Sequence, residues 1–418
     1  MKKRKTVLAG IAAAAAVCIF GGCREQRQEN PITTVSQSTE DEDPVDTMED
    51  ETLPGEGIPS YDVELPEELG SFAFAVWGTE YQLPVSYEEF TGNGWTYDGE
   101  EEEIISARSY LENEVFSAEQ GSVTVDLMNP DAEDRPVREC WIAGFHVDTE
   151  KDEGREVYVS LPCGIALQSS VQEDVTAAYG APKDRYEQEE YLYLTYQFGL
   201  NQTVEFGFEN ETGLLVQIDL RNLKNPEGDE ELEHAVSHKT PMVEAYTEPE
   251  TPGTDLAQAI VSYDGTLYQL PVPVAVMVEH GWEINRRESD EAVKGLEYGY
   301  ATLEKDGKRL FGTVWNPSEE AVTVENCFVT SLYGDLDTTK VPITAAGDIT
   351  LGMPKEEFLA AVHETYELET DEENGMETYT FSADDEQENY TSITVDTMLD
   401  LVRGIKVVRN QENTSVSE

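Results

Sequence analysis

The sequence predicts an α+β protein with two tandem homologous domains, each an antiparallel sheet with helices packed on one face. The first observation is an internal repeat, in which the run Gly78-Thr79-Glu80-Tyr81-Gln82-Leu83-Pro84-Val85 recurs as Gly265-Thr266-Leu267-Tyr268-Gln269-Leu270-Pro271-Val272, 187 residues further on. The second is that each copy combines a short run of helical spacing with several runs of strand-like alternation. The third is that acidic stretches of low complexity precede and separate the copies.

The N-terminus predicts a lipoprotein signal peptide over residues 1–22. Basic residues Lys2–Lys5 precede an apolar stretch that is too short for a comfortable membrane span. It ends in Phe20-Gly21-Gly22-Cys23, which resembles the lipobox of bacterial lipoproteins, with Phe20 where Leu is usual. The resemblance implies lipidation of Cys23, and therefore a membrane-anchored protein on the extracytoplasmic face. The alternative is an ordinary secretory signal cleaved near Gly22.

The charge balance excludes several classes of partner. The chain has 27 Lys and Arg residues against 87 Asp and Glu residues, a net charge of −60. Nucleic acid binding needs clustered cations, so we expect no nucleic acid partner. Anionic lipid surfaces would repel the chain unless divalent cations intervene. The acidity is explained either by solubility or by cation binding.

The repeat and the composition divide the chain into segments. Residues 23–70 lack apolar periodicity and predict an acidic, disordered tether. Repeat domain 1 is predicted at 71–222 and repeat domain 2 at 255–410, joined by a linker over 223–254 and followed by a disordered tail at 411–418. The 187-residue offset also carries Asn129 onto Asn316 and Cys140 onto Cys327.

Within the first copy, periodicity predicts the elements in order. Ser170 with Glu173 predicts a capping box, followed by a helix up to Gly180. Tyr191 and Tyr193 alternate with Leu192 and Leu194, as on the two faces of a strand. A short helix is predicted at 84–93, and strands at 123–127, 141–147, 191–198, 204–208 and 216–220.

A motif near the end of each copy resembles a known group of proteins. Gly164-Ile165-Ala166-Leu167 through Pro182, and Asp348-Ile349-Thr350-Leu351-Gly352-Met353-Pro354, resemble an element of uncharacterised Gram-positive lipoproteins. They are also similar, more distantly, to the helix start of the outer-membrane-assembly lipoprotein and β-lactamase-inhibitor-protein-like fold. The resemblance implies a helix-plus-sheet module whose exposed sheet face binds protein, and it implies no catalytic residues.

We expect no catalytic, cofactor or metal site. His234 and His238 have the spacing of metal ligands but lie in the predicted linker, and His146 aligns with Tyr333 rather than with a second histidine. The equivalent residues Asp148 and Asp335 are interpreted as turn residues, with a glycosidase-like carboxylate pair as the alternative. Weak calcium binding around Asp148 is also left open.

Most of the three cysteines downstream of Cys23 are interpreted as small buried hydrophobes, with a Cys140–Cys163 disulfide as the alternative. The repeated Trp95 and Trp282 indicate core anchors rather than a stacking platform.

Three aromatic residues of the first copy form the candidate binding surface: Trp77, Tyr191 and Tyr193. Trp77 aligns with Asp264 in the second copy, so the repeated scaffold does not require an aromatic ring there. The tyrosines face outward together if Leu192 and Leu194 pack on the core. The alternative is that helices cover both rings.

The function best supported by the sequence is a non-enzymatic, lipid-anchored surface protein that acts as a binding or scaffolding module for a protein or cell-wall ligand. An extracellular hydrolase using carboxylates and a divalent-cation-responsive surface protein are the alternatives.

Overall fold

The computed structural model describes residues 63–149, 157–337, 339–371, 374–382 and 389–410. The predicted signal peptide, Cys23, most of the tether and the predicted tail therefore lie outside the described residues. Among the described residues, no helix is both long enough and apolar enough to cross a membrane.

The first half of the described chain consists mainly of strands. Its α-helices are α1 (Tyr87–Gly92) and α2 (Gln172–Tyr179), and short 3-10 turns lie at Leu69–Ser71, Val137–Glu139 and Pro162–Gly164. Its strands are β1 (Ala73–Val76), β2 (Thr79–Gln82), β3 (Val85–Ser86), β4 (Thr96–Tyr97), β5 (Ile104–Ile105), β6 (Ser109–Ala118), β7 (Gly121–Asn129), β8 (Arg135–Pro136), β9 (Trp141–Asp148), β10 (Val159–Ser160), β11 (Asp184–Glu187), β12 (Tyr191–Gly199), β13 (Gln202–Glu209) and β14 (Leu215–Asn222).

Antiparallel pairing joins these strands into one large sheet and two small ones. The large sheet has nine strands in the order β11-β12-β13-β14-β9-β7-β6-β4, with β3 paired to β9. A three-stranded sheet has the order β10-β1-β2, and β5 pairs with β8. We expected one sheet per copy, so the small sheets are additional.

The second half follows the element order of the first but has two more strands. Its α-helices are α5 (Val274–Glu279) and α6 (Lys355–Ala361), and its 3-10 turns lie at Leu256–Gln258, Val324–Asn326 and Ala346–Asp348. Its strands are β15 (Ile260–Tyr263), β16 (Thr266–Gln269), β17 (Val272–Pro273), β18 (Glu283–Ile284), β19 (Ala292–Val293), β20 (Tyr298–Lys305), β21 (Lys308–Trp315), β22 (Val322–Thr323), β23 (Phe328–Val329), β24 (Ser331–Asp335), β25 (Ile343–Ala345), β26 (Ile349–Thr350), β27 (Glu367–Asp371), β28 (Met376–Ser382), β29 (Asn389–Asp396) and β30 (Leu401–Arg409).

The strand order of the first half recurs in the second, with one interruption. One sheet runs β24-β30-β29-β28-β27 and another runs β17-β23-β21-β20-β18. The strand that is continuous as β9 in the first half is divided at Thr330 into β23 and β24, and Thr330 N–H still donates to the Thr313 carbonyl at 3.4 Å. The smaller sheets recur as β16-β15-β25-β26 and as the pair β19-β22.

Two asparagines at equivalent positions make the same set of hydrogen bonds. The side-chain amide of Asn129 donates to three carbonyl oxygens at 2.8–3.1 Å, and Asn316 does the same at 2.9–3.0 Å. Each amide oxygen accepts one backbone N–H, from Asp131 and Ser318 respectively. The carbonyl partners are Ile105, Ser106 and Glu133 for Asn129, and Val293, Lys294 and Glu320 for Asn316.

Buried apolar side chains form two separate clusters. One draws its members from residues 69–220 and the other from residues 256–407. Trp95 and Trp282 belong to these cores and are 4% and 1% exposed, so the interpretation as core anchors is confirmed. All three described cysteines are free, so the alternative of a Cys140–Cys163 disulfide is wrong.

Helix α2 packs on one face of the nine-stranded sheet. Its Tyr179 stacks on Phe206 of β13 at 6.0 Å between ring centroids, and Val175 is fully buried. The helix begins one residue later than the capping-box pattern predicts, because Ser170 lies before the N-cap and its hydroxyl accepts from Ala166 N–H at 3.0 Å. The carboxylate of Asp174 accepts from the N-cap N–H instead.

The segment predicted as a linker contains structure of its own. It holds α3 (Glu230–Glu233) and α4 (Pro241–Glu244). Val236 forms a bridge with Val322 and packs, with Tyr246, against the second core.

Polar contacts join the two halves. The Asp290 carboxylate accepts from the N–H groups of Leu200 in the first half, at 3.1 Å, and of Tyr300 in the second, at 2.8 Å. The Arg309 guanidinium donates to the Ala181 carbonyl at 3.2 Å. The turn that follows β12 is thus held against the strands of the second half.

Candidate functional site

The two predicted tyrosines lie together on the side of the nine-stranded sheet opposite to α2. Leu192 and Leu194 of β12 are 6% and 0% exposed, whereas Tyr191 and Tyr193 point away from the core and remain partly exposed. Their ring centroids lie 6.1 Å apart. We call this side of the sheet the polar face; it carries Tyr191, Tyr193, Glu205, Asp219 and His146. Both rings therefore lie outside the core, as expected for the case in which Leu192 and Leu194 pack on it, and α2 lies on the other side of the sheet.

Trp77 belongs to a different part of the molecule. It follows β1 in the three-stranded sheet, in a left-handed conformation with φ 47°, and stacks on Trp95 at 5.2 Å. The equivalent Asp264 has φ 49° and pairs instead with Lys305 at 3.0 Å and Lys308 at 2.8 Å. The structure therefore does not bring Trp77 onto the sheet that carries the tyrosines.

A network of charged side chains that the sequence analysis missed lies beside the tyrosines. Three strands that are distant in sequence bring Asp126, His146 and Asp219 together, because β9 pairs with both β7 and β14. His146 Nδ1 lies 2.8 Å from Asp219 Oδ1, and His146 Nε2 lies 3.1 Å from Asp126 Oδ2. Arg221 Nε donates to Asp126 Oδ2 at 2.9 Å and its guanidinium pairs with Glu112 at 3.3 Å.

Asp126 is fully buried, and two features of the strands accommodate it. A bulge between Leu111 and Glu114 places Asn113 at φ 59°, from where its N–H donates to Asp126 Oδ1 at 3.3 Å. A Cβ atom at Gly144 would lie 2.3 Å from Asp126 Oδ2, so only glycine leaves room for the carboxylate there.

The charges of the network stabilise one another. Burial lowers the pKa of His146, but its contacts with Asp126 and Asp219 outweigh burial and raise the pKa to about 9. Burial raises the pKa of Asp126, but His146 and Arg221 outweigh it and the net shift is downward. At neutral pH the network thus holds a cationic imidazole between two carboxylates.

Glu205 has a different environment from these paired carboxylates. Its carboxylate accepts from the Thr195 hydroxyl at 2.9 Å, and among the described residues no Lys or Arg nitrogen lies within 4.0 Å of it. Burial raises the pKa of Glu205, and Asp219 and Asp184 raise it further because they are acidic neighbours.

The second half has different side chains at every charged position of the network. Strand pairing places Tyr333 where His146 lies, and Lys406 where Asp219 lies. Ser392 pairs with Lys406 as Glu205 pairs with Asp219. By the 187-residue offset, Asp126 and Arg221 correspond to Thr313 and Val408.

Two features of the sequence relate to the network, but the alternation within single strands does not show that its members meet. His146 aligns with Tyr333, which distinguishes the copies at this position. Asp126 and Asp219 each interrupt an apolar strand run, but only the pairing of β7, β9 and β14 shows that they converge on His146.

The other candidate residues stay apart or have structural roles. Asp148 ends β9 and Asp335 ends β24, each in the sheet of its own half, and Asp335 accepts from the backbone N–H groups of Asp337 and Thr339 as a turn residue does. His234 and His238 are exposed. Among the described residues, no group of three or more His, Cys, Asp or Glu side chains is arranged to hold a metal ion.

Comparison with known proteins gives no family for the chain. No family model matches it, and no curated protein matches it. Among solved structures it is similar, at 8% identity and a TM-score of 0.12, to a post-proline cleaving enzyme from Rickettsia typhi, with 77% of this chain covered. The chain spans 46% of the length of that protein. A TM-score this low supports no conclusion about fold or activity.

Proposed function

We propose that this chain is a lipid-anchored cell-surface protein, made of two tandem homologous domains, that acts as a binding or scaffolding module for a protein or cell-wall ligand. The recurring strand order, the two separate cores and the equivalent hydrogen bonds of Asn129 and Asn316 support the duplication. The lipobox-like sequence ending at Cys23 supports the anchor.

The difference between the two polar faces carries the binding proposal. A residue that the fold requires must recur in both copies, as Trp95 and Trp282 do. Every charged member of the network differs between the two halves, although β24 pairs with β30 in the second half as β9 pairs with β14 in the first. Function is located in sites placed on a fold rather than in the fold itself, so the polar face of the first half is the best candidate for contact with a ligand. Partly exposed aromatic rings, here Tyr191 and Tyr193, are typical of interface anchors.

Crosslinked capture from the cell envelope of the producing organism tests the binding proposal. The wild-type chain is compared with Tyr191→Ser/Tyr193→Ser, and with Thr378→Ala/Thr380→Ala, on the same side of β28 in the second half, as the control. We expect an envelope component that the wild type and the threonine variant recover and the tyrosine variant does not. Equal recovery by all three proteins would contradict the proposal.

The anchor has a separate test. Replacement of Cys23 by Ser removes the sulfur that would carry the acyl chains, so we expect the protein to move from the membrane fraction to the soluble fraction. A Cys23→Ser protein that stays in the membrane fraction would show that another segment holds it there.

A further inference from the structure

The polar face of the first half has an excess of negative charge beside its aromatic rings. Its cations, His146 and Arg221, already pair with Asp126, Asp219 and Glu112. Glu205 lies directly across the β13–β14 pair from Asp219, and like charges in that position destabilise a sheet. An incoming cation would relieve this repulsion.

The register of the sheet places this charge next to the tyrosines. Tyr193 and Thr195 follow each other on the same side of β12, and Thr195 is the cross-strand partner of Glu205. The edge strand β11 adds Tyr186, which is 43% exposed and is the cross-strand partner of Tyr193. Aromatic rings attract ammonium and guanidinium groups through their negative faces, and carboxylates attract the same groups by charge. Both features of the polar face therefore select for cations.

We infer that the polar face of the first half docks a lysine- or arginine-rich protein segment, whose cationic groups contact Glu205, Tyr186, Tyr191 and Tyr193. The inference rests on the proposed function and specifies the chemistry of the partner. The net charge of −60 favours the encounter, because an acidic surface attracts basic segments and repels nucleic acid and anionic lipid. A peptide segment suits this face better than a single small cation, because the rings and Glu205 are spread over the three adjacent strands β11, β12 and β13.

The second half provides an internal comparison. Cross-strand pairing in the first half aligns one residue from each of five neighbouring strands: Asp184, Thr195, Glu205, Asp219 and His146. The residues aligned in the same way in the second half are Glu367, Thr380, Ser392, Lys406 and Tyr333. The central pair of acids is thus replaced by a serine and a lysine, and Thr378 takes the place of Tyr193. This face does not have the chemistry to select a basic segment, so the inference applies to the first half alone.

Peptide binding to the full chain, purified in nonionic detergent, tests the inference. The probe is a fluorescent oligolysine peptide at physiological ionic strength, and the same peptide with acetylated lysines is the uncharged control. Glu205→Gln keeps an acceptor for the Thr195 hydroxyl but removes the charge, so we expect its fold to be preserved. Glu231→Gln on the exposed helix α3 removes the same charge elsewhere and is the matched control.

We expect Glu205→Gln and Tyr193→Ser each to weaken oligolysine binding by about fivefold, because each removes about one contact with a cation. Glu231→Gln should weaken binding by less than about twofold. A single cooperative thermal transition whose midpoint is not lowered shows that a variant is folded. Equal weakening by Glu205→Gln and Glu231→Gln, with no effect of Tyr193→Ser, would mean that the peptide responds only to overall charge, and would overturn the inference.

Failure of this inference is distinguishable from failure of the proposed function. Envelope capture that depends on Tyr191 and Tyr193, without selective oligolysine binding, would leave the binding module in place and show that its ligand is not cationic. Loss of selectivity in both experiments would overturn both.

Discussion

The charged network makes the stability of the first half depend on the protonation of His146. The pKa of this imidazole is about 9 in the folded chain, against 6.5 for a histidine in water. A pKa raised by folding stabilises the folded state fully below the unfolded pKa, and this contribution disappears as pH rises through the folded pKa. The window therefore lies between about pH 6.5 and about pH 9.

The size of the effect follows from the shift. Each pKa unit corresponds to about 1.4 kcal/mol, so a shift of this size contributes about 3 kcal/mol below pH 6.5 and almost nothing above pH 10. The His146 side chain is only 13% exposed, which limits screening by water. Its partners Asp126 and Asp219 are the charged groups that raise the pKa of His146.

Urea denaturation across pH measures this contribution directly. We expect the difference in the free energy of unfolding between the wild type and His146→Gln to fall by about 3 kcal/mol between pH 6.5 and pH 10. The difference between the two proteins is compared, because lysines and tyrosines elsewhere also titrate in this range. His238→Gln, at an exposed position, is the control and should show no such trend. A wild-type minus His146→Gln difference that stays constant across this range would refute the reasoning.

Three further predictions concern the scaffold. Replacement of Asn129 by Ala leaves three backbone carbonyls without their donor and should lower the free energy of unfolding, measured by urea denaturation, by roughly 2–4 kcal/mol. We expect a similar loss for Asn316→Ala, and a loss in only one of the two variants would argue against the equivalence of the two asparagines. The exposed Cys163 should react with a thiol reagent in the native protein, whereas Cys327, whose pKa burial raises, should react only after unfolding. Asp290→Ala removes the acceptor that joins the halves and should cost roughly 1–3 kcal/mol; unchanged stability would contradict this role.

The alternation of apolar residues predicted the strands well, because their burial is decided locally. Leu192 and Leu194 face the core and Tyr191 and Tyr193 face away, as the two-residue period of a strand requires. The start of α2 was misplaced by one residue because the Ser170 hydroxyl binds a backbone N–H outside the helix. Local sequence cannot distinguish these two uses of a serine.

The charged network could not be predicted from local patterns. Asp126 is a charged residue inside an apolar strand, and its burial is acceptable only because His146 and Arg221 pair with it. These partners come from β9 and β14, and their proximity depends on strand pairing rather than on sequence distance. The sequence gives one indication of the network: His146 aligns with Tyr333 in the second half, so the fold does not require a histidine at this position.

The two halves carry different side chains at the charged positions on the polar side of the sheet. The opposite side packs against helices in both halves, through Tyr179 on Phe206 in the first and Phe358 on Tyr379 in the second, so changes there would leave cavities or clashes. On the polar side, Asp219 of the first half corresponds to Lys406 of the second without any change in the pairing of its strand. The two halves therefore carry charges of opposite sign at this position. If both faces bind ligands, this reversal requires that they select different ones.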